Sequence, residues 1–451
     1  MAIDHKVTFE CEAITPIFVT GADQRDIELR SPSIKGVLRF WWRTLNGSLS
    51  VSELREKEAQ IFGGVGKKEG RSKVVILVDL EDREIRRGED LRRDYGLTWQ
   101  FSGGRLVGRH AGIGYLVYAA LINKRRFFFA KGSSKSGTLF SVHFLAKEID
   151  VLQHTISAFW CLVFLGGLGL RSRRGGGNIA VNRIVDQSGI IDSLKLDFVL
   201  DKENQTEIAN WIIRNFRIAR AVVNENRKTS FISEYSNLSF SRFVISKRKF
   251  SSWIDALSDV GEKYQDFRYR HRRDIFDSGA FGLPVNHRRS GVKVIGKCGR
   301  SKINRRSSPL IFRVIRSKDS YYWMVIRLAG EFLPDGWNIA TQYDEKEPNY
   351  RLIDEFWGQL KREANEFLLS VPDALNAQLQ KIKERLSPSR IILFGSRARG
   401  DFHANSDINI AVETSKPIGL LEKMKGLNIV DLRAASDSLK KVIEREGVSL
   451  L

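Results

Sequence analysis

"ISAFWCLVFLGGLGLRSRRGGGNIAVNRIV", residues 156 to 185, reads as the end of a helix, a glycine-rich turn and a strand. Its apolar start extends a helical pattern from about 148 to 165. That run is shorter than the roughly 18 to 20 residues a bilayer span requires, and glycines break its end, so it reads as a buried helix. "NIAVNRIV" then reads as a strand. The glycine stretch between them, 166 to 178, has no Gly-Lys-Ser or Gly-Lys-Thr end and follows a helix instead of a strand, which argues against a P-loop. Gly175, Gly176 and Gly177 instead let backbone approach a ligand closely, and Arg171, Arg173 and Arg174 supply charge for phosphates. A solvated arginine-rich loop is the alternative.

Strand signals surround this unit. In "KVTFECEA" Val7, Phe9 and Cys11 alternate with polar residues, and Phe140, Val142 and Phe144 do the same in "LFSVHFLA". "KVVILVDL", 73 to 80, suits a central strand. Between the first two lies "SPSIKGVLRFWWRTLN", 31 to 46, a helix with Ser31 as cap and Pro32 in the first turn. At about 100° per residue, Ile34, Val37, Leu38, Trp41 and Leu45 share one side while Lys35, Arg39 and Arg43 line another. Trp42 falls at the border, which predicts a core Trp41 and a Trp42 able to stack on a base beside three cations. A solvated face with a boundary tryptophan is the plainer reading. The mixture of elements predicts an α+β fold with helices on one sheet face.

Seventy-four Lys and Arg against fifty-three Asp and Glu give a net charge of +21, which points to a polyanion, nucleic acid before membrane. A chain of 451 residues exceeds one ordinary core, so two or three domains are expected. Cys11, Cys161 and Cys298 are too few and scattered for a disulfide framework or a zinc site. The amino terminus lacks the blocks of a signal peptide, so a cytoplasmic location is expected. From Arg268 to Arg306 there are twelve Lys or Arg residues, among them Arg288, Arg289, Arg305 and Arg306, and two acids. Phe267, Tyr269, Phe276 and Phe281 are interleaved, the mixture that binds single strands without sequence preference.

Six blocks, "TPIFVTGAD", "ELRSPSIKGVLRFWWR", "IFGG", "GGLGLRSRRGGGNI", "GAFGLPV" and "RRSSPLIFRV", resemble in that order the first RAMP subunit of the Cmr effector complex in type III-B CRISPR systems, over about residues 1 to 340. The resemblance implies an α+β chain with tandem ferredoxin-like domains of the RNA-recognition type, 1 to 190 and 191 to 340. It implies contact with guide RNA near its 3′ end, help in capturing target RNA for antiviral defence, and neighbouring Cmr RAMP subunits as partners. No catalytic residue transfers with it, and RNA binding needs no cofactor. Arg30, Lys35, Arg39, Trp42 and Arg43 would form one wall of an RNA groove, Arg171, Arg173, Arg174, Gly175 and Gly176 another, with Arg288, Arg289, Arg305 and Arg306 adding charge. The rival is a RAMP-type endonuclease using one of His110, His143, His154, His271 or His287, among which spacing selects none.

After a polar run at 341 to 349 the pattern turns helical to about 386. "SPSRIILFGSRARGDFHANSDINIAVE" then resembles a minimal nucleotidyltransferase over about 385 to 451, making 351 to 451 a helical lead-in and a small α/β domain. That resemblance implies Gly395, Ser396 and Arg399 on a nucleotide and Asp407 and Asp431 on magnesium. Position 409, on the same strand face as Asp407, is asparagine where a carboxylate is expected. The expectation is a domain without transfer chemistry; an active transferase using Asp407, Asp431 and Asp401 is the alternative.

Overall fold

The computed structural model describes residues 5–21, 27–66, 69–80, 85–122, 126–128, 137–224, 235–287, 291–370, 373–399, 406–421 and 426–450. The first sheet is fully antiparallel, in the order Val75–Leu80, Leu139–Ala146, His5–Ala13, Ile179–Asp186. Helices Ser31–Leu45 and Ile149–Leu165 pack together against it. Phe9 and Phe144, both fully buried, meet the Phe159 ring at 4.7 and 5.1 Å. Each such ring contributes about 1.5–3 kcal/mol by leaving water. Chain order strand–helix–strand–strand–helix–strand makes this a ferredoxin-like unit.

Two details differ from the sequence expectation. Val75–Leu80 is an edge strand, with Val75 42% and Leu77 49% exposed, because no strand pairs with its outer side among the described residues. The helix at 31 has Arg30 at its N-cap with no side-chain hydrogen bond there; Ser31 is already helical, and Pro32 sits in the first turn as expected.

The second sheet repeats the plan, in the antiparallel order Leu310–Ser317, Ser320–Ala329, Asn237–Ser246, Ala364–Leu368. Its helices are Trp253–Arg270 and Arg351–Glu363. The fourth strand lies inside the stretch read as helical to 386, and the second sheet therefore continues past the polar run at 341–349. Its five residues are too few to show alternation in the sequence. A single buried core runs from Val7 to Leu369 through both sheets. Helix Gln205–Val223 fastens the join, with Trp211 5.9 Å from Trp160 and 4.7 Å from Phe164.

The last sheet has the order Leu427–Asp431, Ile408–Glu413, Arg390–Phe394, Val448–Ser449, with the first pair parallel. Its core includes Phe240 and Ala329 of the second sheet, so this small domain sits directly on that sheet. No helix among the described residues is long and apolar enough to cross a membrane.

Candidate nucleic-acid interface

The glycine-rich turn 166–178 is a spline between the two ferredoxin-like units. Phe312 N–H donates to the Arg173 carbonyl at 3.1 Å, and Asn178 Oδ1 accepts from Val314 N–H at 2.8 Å. The Asn178 Nδ2 donates back to Gly166 O at 3.1 Å. Gly177 (φ +63°) has no room for a β-carbon, which would overlap the Leu168 carbonyl, and one at Gly175 (φ +83°) would strike Leu257. The glycines therefore serve close packing within the fold; Gly175 and Gly176 are buried, which corrects their expected role under a ligand.

This packing displays arginines on both sides of the turn. Arg173 donates to Ser308 O and lies 5.0 Å from the Phe40 ring. Burial, with Arg306 and Arg174 nearby, lowers its pKa to about 10. Arg174 donates to Phe281 O at 3.3 Å and covers Tyr264 at 4.7 Å. Its Nη1 is buried with no hydrogen-bond partner. Arg171 is exposed, at φ +62°. Cations held close together at a fixed spacing make a positive field that a phosphate would relieve.

Arg171 and Arg174 open into a cleft of about 600 Å³ that also gathers Arg105, Arg268 and Arg272 with Phe101, Tyr115, Tyr118 and Tyr269. Arg272 stacks on the Tyr269 ring at 4.3 Å and Arg105 lies at 5.1 Å from it. Phe101 is 62% exposed and meets Tyr118 edge-on at 5.4 Å. Burial pushes the Tyr115 hydroxyl up, so it stays a donor at neutral pH. An exposed ring and half-buried ones beside guanidinium groups suit stacked bases and phosphates together.

The tryptophan helix contributes differently from its sequence reading. Trp42 is 1% exposed and donates Nε1–H to His154 Nδ1 at 3.0 Å, so it is core, not a stacking platform. Arg39 and Arg43 both bind Glu58, whose side chain is 5% exposed, with Arg43 Nη1 at 2.8 and 2.9 Å from its two oxygens. Helix Val51–Phe62 thus draws the basic row onto itself; Lys35, one turn earlier, stays outside that ion pair. The part of the helix that does face the arginine turn is Gly36 and Phe40, across a cleft of about 240 Å³ with Arg173 and Ser307. Arg30 lies 3.7 Å from Glu28. Arg306 is spent on Glu331 O and Tyr350 and stacks on Phe332 at 4.7 Å, whereas Arg305 is exposed. Arg288 and Arg289 lie outside the described residues.

In the last domain Gly395 (φ +78°) turns beneath the Asn409 amide, 2.8 Å from where a β-carbon would sit. The parallel register sets Asn428 opposite Asn409, and Asn428 Nδ2 donates to Asn409 Oδ1 at 2.9 Å. Asp431 stands opposite Val412, three positions along, and accepts from Arg433 N–H. The position beside 409 is therefore asparagine too, which corrects the assignment of Asp431 as a third metal ligand. Arg399 is paired with Glu446 at 2.8 Å instead of facing the turn, and Ser396 opens a helix of only four residues. Asp407 is exposed and Asp401 lies outside the described residues. Two neutral amides where clustered anions are needed do not fit a pair of magnesium ions, and no group of three His, Cys, Asp or Glu side chains among the described residues could hold a metal.

Residues 10–180 match the RAMP superfamily and residues 375–442 the nucleotidyltransferase domain. The chain carries a RAMP superfamily domain. It is homologous to two Cmr subunits of the CRISPR system of Pyrococcus furiosus: Cmr1-2, 29% identical over 190 residues, and Cmr1-1, 26% identical over 364. These alignments cover 40% and 78% of this chain and 97% of each relative. The crystal structure of Cmr1 from Pyrococcus furiosus in its apo form shares the fold, with a TM-score of 0.55 and 21% identity over 81% of this chain and 99% of that one.

Within the RAMP region, the sequence reading found the arginine turn and missed the opposite wall of its cleft. Phe101 and Arg105 sit on strands of three residues each, too short for alternation, and Tyr115 and Tyr118 on a helix that is apolar nearly all round. The available signal was the density of rings and cations in "WQFSGGRLVGRHAGIGYLVY".

Proposed function

We propose that the chain is an RNA-binding subunit of a type III-B CRISPR ribonucleoprotein, working in the cytoplasm beside other Cmr RAMP subunits. It contacts guide RNA near its 3′ end, helps capture target RNA and cuts neither. The observation that carries this reading is the cleft where Arg171, Arg174 and Arg272 meet the exposed Phe101 ring and the half-buried Tyr118 and Tyr269 rings at the junction of the two ferredoxin-like units. A fixed arginine turn with flanking aromatics supplies backbone neutralisation and sequence-tolerant stacking in one place.

Four of the five candidate histidines are engaged in hydrogen bonds within the fold, and one of them, His271, lines the cleft, so a cleavage assay decides their role. His143 bridges Thr8 and Asp79, each at 2.8 Å, and His271 is held by Asp274 at 2.8 Å. His154 accepts from Trp42, and His110 from Arg109 Nε at 3.2 Å. The side chain of His287 lies outside the described residues. Incubating the full chain with end-labelled single-stranded RNA and magnesium should give a shifted band containing intact RNA. Discrete products abolished by a single histidine substitution would overturn the reading in favour of a nuclease.

A further inference from the structure

A cleft of about 980 Å³ lies away from the arginine turn, between the second RAMP-like sheet and the nucleotidyltransferase-like domain. One wall is helix Gln205–Val223, which brings Arg217, together with the outer strand Ala364–Leu368, which brings Phe367. Lys383 and Arg390 from the last domain form the other wall, with the terminal strand Val448–Ser449 beside them.

The cleft is basic once its internal pairs are removed. Glu366 is saturated by Trp357 Nε1–H at 2.6 Å, Lys361 at 2.9 Å and Arg242 at 3.3 Å. That leaves Arg217, Lys383 and Arg390 against Glu444, and Glu413 lies 3.9 Å from Arg390. Phe367 is stacked on Phe243 at 5.5 Å and is half-buried, so its ring is fixed while part of it lines the cleft. Both bordering strands are the outermost of their sheets and present main-chain donors and acceptors to the gap. Such groups pair with ribose hydroxyls as readily as with a peptide, and three cations against Glu444 and Glu413 leave a net positive charge that favours the polyanion.

We infer that this cleft is a second single-stranded RNA path, in which the nucleotidyltransferase-like domain, with asparagine at 409 and 428, acts as a clamp wall. The inference rests on the proposed function in one respect, that the chain works on RNA. The clamp neutralises backbone with Arg217, Lys383 and Arg390 and stacks a base on Phe367.

The test uses the full chain and a fluorescently labelled oligouridine, with the cleft variant Arg217→Ala, Lys383→Ala, Arg390→Ala and, in parallel, the turn variant Arg171→Ala, Arg272→Ala. Three lost contacts at roughly 0.7 each should flatten the log–log salt slope of the cleft variant by about two, with affinity down about tenfold or more. On the natural protein, 4-thiouridine crosslinks should map to the peptide bearing Phe367, a readout that needs no variant to fold. If the turn variant weakens binding while the cleft variant binds as the natural protein does and no adduct forms at 367, the inference fails and the proposed function stands. If neither variant nor the natural protein responds to RNA, both fail. Normal RNA binding by the cleft variant with loss of co-purifying RAMP subunit would assign the cleft to a protein and overturn the inference.

Discussion

Trp42 and His154 are joined by an indole-to-imidazole hydrogen bond of 3.0 Å that ties helix Ser31–Leu45 to helix Ile149–Leu165. The His154 Nδ1 accepts, so its proton resides on Nε2. Because Trp41 and Trp42 are both at most 2% exposed, truncating either should cost similarly, about 3–5 kcal/mol, measured by denaturant unfolding. Trp42→Phe keeps one aromatic ring but removes the rest of the indole and the bond, at about 1–3 kcal/mol. A Trp42→Ala protein of unchanged stability and reduced RNA affinity would restore the surface role that the helical periodicity suggested.

Glu58 organises two arginines that look like surface charge in the sequence. Glu58→Ala should destabilise by about 1–3 kcal/mol, less than a fully buried pair because each arginine is about a third exposed. Lys35→Ala should stay within about 0.5 kcal/mol. Thermal unfolding of the two variants side by side checks the contrast; equal melting temperatures would contradict it.

The Asn409–Asn428 pair predicts that one restored acid is insufficient for metal binding. Asn409→Asp alone should remain without saturable Mn²⁺ binding by calorimetry, and so should the natural protein. Asn409→Asp with Asn428→Asp places two carboxylates beside Asp407 and should create it. Magnesium-dependent nucleotide transfer by the natural protein, abolished by Asp407→Ala, would refute the non-catalytic reading of this domain.

His110, held at φ +59°, has its pKa lowered chiefly by burial, with Arg109 adding and Asp255 and Glu262 opposing. Its folded value lies below the unfolded value of about 6.5, so the unfolded chain binds more protons between the two. Its neutral form therefore favours folding fully above about pH 6.5, and that contribution is lost as pH falls through this window. The melting temperature should drop on acidification through this range. His110→Asn, which tolerates the left-handed backbone, should flatten that dependence; an unaltered profile would exclude His110 as the source.

The sequence showed those features that a single element decides. Alternation at Val7, Phe9 and Cys11 announced a half-buried strand, and the glycine spacing from 166 to 178 announced a tight turn rich in cations. What it hid depends on neighbours. A helix border residue such as Trp42 is core only because Ile149–Leu165 arrives beside it, and Arg39 is sequestered only because Glu58 faces it. The strand Ala364–Leu368 gains its identity from pairing with Asn237–Ser246, and Asn428 meets Asn409 through a parallel register that no spacing reveals. The cleft at Arg171 required rings from residues 101 to 118 and cations from 268 to 272, far apart along the chain.

The central claim, that RNA lies in the cleft at the arginine turn, is tested most directly by the salt dependence of single-stranded RNA binding to the natural chain and to Arg171→Ala, Arg272→Ala. Both residues are exposed, so the fold should persist. The account predicts weaker binding and a log–log slope flatter by about 1.4 units for two lost phosphate contacts. Identical affinity and slope for the variant and the natural protein would contradict it.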